Sequence, residues 1–132
     1  MKRIYVIKPN SLHPDAMFFL KEIAATTNPT AELMENQSGS AYDCNMIHRC
    51  DELYVAVGED RSIGKGVYGE VMTAKEESKP VFVFEYKVTE KKLVPIRNFD
   101  LIVEDSNNFR KFGRITGDAM TSAAPTNEEM MI

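Results

Sequence analysis

The sequence has no apolar run approaching the ~20 residues that a membrane-spanning helix needs, so a helical membrane protein is excluded. It is also poor in metal-binding side chains. The cysteines are Cys44 and Cys50 alone, and the histidines His13 and His48 alone. That cysteine spacing matches no zinc pattern, and the histidines complete no ligand set, so no metal is expected. Two isolated thiols are instead the mark of a reduced, cytoplasmic protein. Positive charge is not in excess either. Sixteen Lys and Arg stand against twenty Asp and Glu, for a net charge of −4. Bulk electrostatic binding of nucleic acid or of an anionic membrane is therefore not expected. A small anionic ligand needs only local positive groups and stays open. At the start, MKRIYVIKPN, the short apolar run is ended by Lys8 and Pro9 too early for a signal peptide, and it reads as a first strand.

What remains is 132 residues, 43% hydrophobic and 27% charged, the balance of one globular domain. Ile4–Ile7, Leu53–Val57 and Val81–Phe84 are compact, β-branched or aromatic runs that fit strands buried on both sides. Between them the apolar residues recur at helical spacing. One helix is expected over Asp15 to Ala25, a short one over Asp43 to Arg49 with Asp43 as N-cap, and a third over Gly66 to Glu77. Thr30 to Tyr42 gives no clear reading. Leu93 to Val103 holds two short apolar pieces that are candidate strands, and Asn107 to Phe112 is a candidate helical turn. From Gly113 the composition turns to Gly, Thr, Ser, Ala and Pro, which predicts a loosely held tail over 113–132 behind a domain of residues 1–112. Strands alternating with helices predict an α/β fold, a mostly parallel sheet with helices on both faces, Rossmann-like or flavodoxin-like. Sites in such folds lie beyond the carboxyl ends of the strands. Tyr5, Asp51 and the segment from Gly58 to Glu70 are thereby drawn towards one crevice.

Glu70 falls in the opening turns of the third helix, near the positive end of its dipole, where a carboxylate is held ionised. Gly64 to Gly69 matches G-x-G-x-x-G. A dinucleotide fold wants that motif directly after the first strand, and here it follows an internal one, although Glu85 could serve as a ribose acid. A phosphate-loop NTPase needs Ser or Thr after the lysine, and Lys65 is followed by Gly66. Either the glycines around Gly66 let backbone amides approach an anion, or they only permit a turn and close packing.

Taken together the acids form a pattern. An apolar strand carries Tyr5. Asp43-x-Asn45 follows, then Asp51 eight residues after Asp43. After a strand and a variable loop come Gly66-x-x-x-Glu70 and Lys79-Pro80. This resembles the nucleoside 2-deoxyribosyltransferase-like family, which includes 2'-deoxynucleoside 5'-phosphate N-hydrolases. The resemblance covers Asp43 to Phe84, with Tyr5 and its strand. It implies cleavage or transfer of the N-glycosidic bond of a 2'-deoxynucleoside or its 5'-monophosphate, without a cofactor. Glu70 would be the nucleophile at the anomeric carbon, Asp43 the acid that assists the leaving base, and Tyr5 the tyrosine beside the nucleophile. Asp51 matches an acidic position opening the strand, where a capping role serves equally well. The chemistry agrees with this, because an oxocarbenium-like carbon needs a carboxylate to meet it and the base needs a proton.

The family also implies a homodimer or higher homo-oligomer in which a neighbour completes the site. Here the region would be Leu93 to Asp100, with Arg97 and Asn98 as its polar residues. Lys8, Arg61, Lys65 and Arg97 are the cations available to a 5'-phosphate. Two departures stand out. Many transferases carry an acid two residues before the loop glycine, where this chain has Gly64. The phosphohydrolases have a Gly/Arg-rich loop after the first strand, where this chain has Lys8-Pro9-Asn10-Ser11-Leu12-His13. A nucleotide-binding protein of the same fold without turnover, acting as a sensor or sequestering its ligand, is the alternative.

Overall fold

The computed structural model describes residues 1–36 and 44–120. The elements run β1 (Arg3–Ile7), α1 (Pro14–Thr27), β2 (Glu32–Met34), α2 (Cys44–Arg49), β3 (Glu52–Val57), β4 (Ser62–Ile63), α3 (Lys65–Glu76), β5 (Val81–Lys87), β6 (Lys92–Val103) and β7 (Gly113–Ala119). The fold is α/β, built on a seven-stranded sheet in the order β2-β1-β3-β5-β6-β7-β4. No helix among the described residues is long and apolar enough to cross a membrane.

The expected strands form where the apolar runs stand, and they pair in parallel. Ile4 lies opposite Glu52 and Ile7 opposite Val55, while Leu53 lies opposite Val81 and Val57 opposite Glu85. Alternate side chains divide between two clusters, as the two-residue period of a strand requires. Tyr5, Ile7, Leu53, Val55 and Val57 pack with Ile47 of α2 and with Val67, Val71 and Ala74 of α3. Ile4, Val6, Tyr54, Ala56, Phe82 and Phe84 pack with Ala16, Leu20 and Ala24 of α1.

The sheet is mixed rather than mostly parallel. β5 pairs with β6, β6 with β7, and β7 with β4, all antiparallel. The cause is chain length. Only Val88 to Lys91 separate β5 from β6, and a parallel return needs a crossover of about a dozen residues. Lys91 turns the corner with a left-handed φ of 52°. The two apolar pieces between Leu93 and Val103 are one long strand, irregular between Arg97 and Asp100. The loose tail expected from Gly113 is, up to Ala119, a strand: Ile115 lies opposite Leu101 and is fully buried. The candidate turn at Asn107 to Phe112 is a loop between β6 and β7.

Gly113 is required where it sits. A Cβ there would stand 2.3 Å from the Ile102 carbonyl oxygen. The stretch Gly58–Ile63 is fixed by Arg61, whose own backbone is left-handed at φ 64°. Its guanidinium donates to Glu85 and, at 3.0 Å, to the Gly117 carbonyl, while Ile115 N–H donates to the Arg61 carbonyl. One side chain thus ties the loop ahead of α3 to both β5 and β7.

A candidate ligand cavity between the first strand and the third helix

The strand order reverses at β1: β2 lies on one side of it, β3 and β5 on the other. The carboxyl end of β1 is therefore the crevice where an α/β sheet offers a binding site. A cavity of about 660 Å³ opens there. Its floor includes Tyr5, Val67 and Glu70, and its walls come from the loop after β1 and from the loop between β6 and β7.

Glu70 is 3% exposed and Tyr5 is fully buried, so two polar side chains have been carried into an apolar cluster and both line this one cavity. The sequence explains how. Val67, Val71 and Ala74 form the buried stripe of α3, and Glu70 lies on the same face, three residues after Val67 and four before Ala74. The helix dipole contributes little to it. α3 starts at Lys65, so Glu70 is in the second turn, and the effect of the dipole fades beyond the first.

The other expected site residues are distributed more widely. Lys8 and Gly66 line the cavity. The Lys8 ammonium donates to the Pro9 and Leu12 carbonyls at 3.3 and 3.1 Å, which braces the loop after β1. Lys65 does not line the cavity. Its ammonium sits 5.8 Å from the centre of the Phe112 ring, and its N–H donates to the Phe109 carbonyl at 2.9 Å. That bond uses one of the helix N-terminal amides an anion would need. Gly66 and Gly69 fall inside α3 rather than in a turn, so G-x-G-x-x-G makes no phosphate-binding loop here.

Asp51 is at the opposite end of the strands. Its carboxylate accepts from Arg3 N–H at 2.8 Å, and its own N–H donates to the Arg3 carbonyl. This is the capping role, which locks β1 to the start of β3. Arg97 and Asn98 are exposed at the irregularity of β6, and neither lines the cavity. Asp43 lies outside the described residues. Arg61 is occupied as described above. Glu85, the candidate ribose acid, accepts from both Arg61 and Lys87. Burial alone would raise its carboxyl, but hydrogen bonds from Lys87 and Arg61 and their charges outweigh that and hold it below the ordinary glutamate value. Lys79, of the Lys79-Pro80 pair, donates to the Ile47 and His48 carbonyls at 2.6 and 2.9 Å and so caps α2.

Phe109 and Arg110 also line the cavity. Reading the sequence missed them. The available signal was Phe109-Arg110-Lys111-Phe112, basic residues between aromatics directly after a polar Ser-Asn-Asn turn. Asn10 and Ser11 supply neutral hydrogen-bonding groups in the first-strand loop. Of the acids, Glu35 lines the cavity and pairs with Lys21. Among the described residues no group of three His, Cys, Asp or Glu could hold a metal ion. No family model matches the chain, and no curated protein matches it.

Proposed function

We propose that the protein cleaves or transfers the N-glycosidic bond of a 2'-deoxynucleoside or its 5'-monophosphate through a covalent glycosyl-Glu70 intermediate. The observation that carries this is the burial of Glu70 beside Tyr5 in a cavity large enough for a nucleoside. A glutamate buried on a helix face and lining a cavity is placed where a carboxyl group can do chemistry. In the first step a Glu70 oxygen bonds to the anomeric carbon while the bond to the base breaks with its electron pair. Asp43 would give the base its proton. In the second step water or an acceptor base attacks the anomeric carbon and frees Glu70. Helices on both faces of the sheet, as in Rossmann-like domains, belong to this reading, and the division of α1 from α2 and α3 between two clusters supports it. Self-association, with a neighbour covering part of the cavity mouth, belongs to this reading too.

The experiment is release of free base from a panel of deoxynucleosides and their 5'-monophosphates, read by chromatography. Wild type should release base, and Glu70→Gln, which keeps the shape and removes the charge, should be slower by roughly a thousandfold or more. A folded Glu70→Gln protein with near-wild-type turnover would refute the mechanism.

One observation favours ligand binding without turnover. A Cβ on Gly64 would stand 3.1 Å from the Phe109 carbonyl oxygen, so the base-holding acid of many transferases is missing where a side chain has little room. Nucleotide binding without base release from any member of the panel would select this reading.

A further inference from the structure

We propose that Arg110, together with Lys8, binds the phosphate of a nucleoside 5'-monophosphate at the mouth of the cavity. This rests on the reading of the cavity as a nucleoside site and names its substrate class. Arg110 lines the cavity from the loop between β6 and β7, is exposed, and its guanidinium makes no ion pair or hydrogen bond among the described residues. It is nonetheless presented on a fixed loop. The Asn108 side chain accepts from Arg110 N–H at 3.1 Å and from Lys111 N–H at 3.0 Å. Asp105 accepts from Asn107 N–H at 3.0 Å. The Phe109 carbonyl takes Lys65 N–H, and the Phe112 ring packs edge-on against Tyr68 with centroids 5.0 Å apart. The loop is thus docked onto the first turns of the helix that carries Glu70.

Lys8 complements it from the opposite loop. An ammonium has three donors; one goes to Pro9 and one to Leu12, which leaves one for a ligand. Among the described residues the charged lining is Lys8, Arg110, Glu35 and Glu70, and Lys21 offsets Glu35. Two cations therefore stand in the loops, and Glu70 lies on the buried floor. A ligand with an anionic group at one end and a neutral sugar at the other fits that polarity. Arginine suits a phosphate because its planar fork bonds two oxygens at once.

The test is equilibrium binding by calorimetry to the Glu70→Gln protein, which removes turnover from the measurement. Deoxynucleosides, their 5'-monophosphates and inorganic phosphate are compared, with and without Arg110→Ala or Arg110→Lys. The monophosphate should bind more tightly than its nucleoside, and Arg110→Ala should narrow that gap roughly tenfold or more, the scale of a charge-assisted bond. Arg110→Lys should restore part of it. A gap that Arg110→Ala leaves intact, or no gap at all, overturns the assignment. Inorganic phosphate binding as tightly as the monophosphate overturns it in favour of a free-anion site. The chemistry fails separately. Arg110-dependent monophosphate binding without base release by the wild type removes the glycosidase reading and leaves this one standing. Base release without phosphate preference does the reverse.

Discussion

Replacing Glu85 by glutamine tests how the loop ahead of α3 is held. The change preserves shape and removes one charge from a cluster in which the Glu85 side chain is 5% and the Arg61 side chain 16% exposed. Removing one partner of a buried ion pair leaves the other charge uncompensated, at about 3–5 kcal/mol. Two features place this case at the low end. Arg61 keeps its bond to the Gly117 carbonyl, and Lys87, with a third of its side chain exposed, can regain water. We expect a loss of about 3 kcal/mol, or roughly 10 °C in melting temperature for a chain this long. The sign of the pH dependence follows from the lowered carboxyl of Glu85. The unfolded chain takes up that proton first, so stability from the pair is present above the ordinary carboxylate value and is lost as pH falls through the lower folded one. Denaturant titrations of both proteins should differ by the full amount from neutral pH down to about pH 5, and the difference should close in more acid solution. A difference under about 1 kcal/mol at neutral pH, the scale of an exposed pair, or one that widens in acid, would show that the cluster does not hold the loop.

Tyr54, buried and accepting from the Asn28 side-chain amide at 3.1 Å, has its phenol pushed up to about 12, mainly by burial. The tyrosinate absorbance should therefore show a component near that pH which Tyr54→Phe abolishes, and Tyr54 should contribute a loss of stability between about pH 10 and 12; a Tyr54 that titrates near 10 would contradict the packing. Gly113→Ala forces a Cβ against the Ile102 carbonyl at 2.3 Å and should cost about 2–3 kcal/mol in denaturant melts; a neutral change would mean that β6 and β7 yield easily there. Lys79→Met keeps the stem but removes the bonds to the Ile47 and His48 carbonyls, so the unfolding free energy should fall by about 1.5–3 kcal/mol, and an unchanged midpoint would show that α2 needs no such cap.

Several elements are legible in the residues alone. β1, β3 and β5 are short continuous apolar runs, and α1 and α3 carry their apolar residues at helical spacing. The antiparallel half is harder to read. β6 is largely exposed beyond Ile96, and β7, Gly-Arg-Ile-Thr-Gly-Asp-Ala, has a composition shared with loops. Such strands take their stability from pairing with neighbours rather than from their own apolar content. The four residues between β5 and β6 did contain the clue, since they are too few for a helical crossover.

The sequence by itself determined the α/β class, the parallel core and the apolar stripes of α1 and α3. Each of these follows from a local period, two residues for a strand and 3.6 for a helix, that needs no knowledge of distant contacts. Only the tertiary structure decided what surrounds Glu70. It lined one cavity with Glu70, Tyr5 and Lys8 and sent Asp51 to the far end of the strands. It committed Arg61 and Glu85 to each other and brought Phe109 and Arg110 across from the loop between β6 and β7. Those placements depend on which strand pairs with which, and on bonds such as Lys65 N–H to the Phe109 carbonyl, and no local period encodes contacts between segments so far apart in the chain.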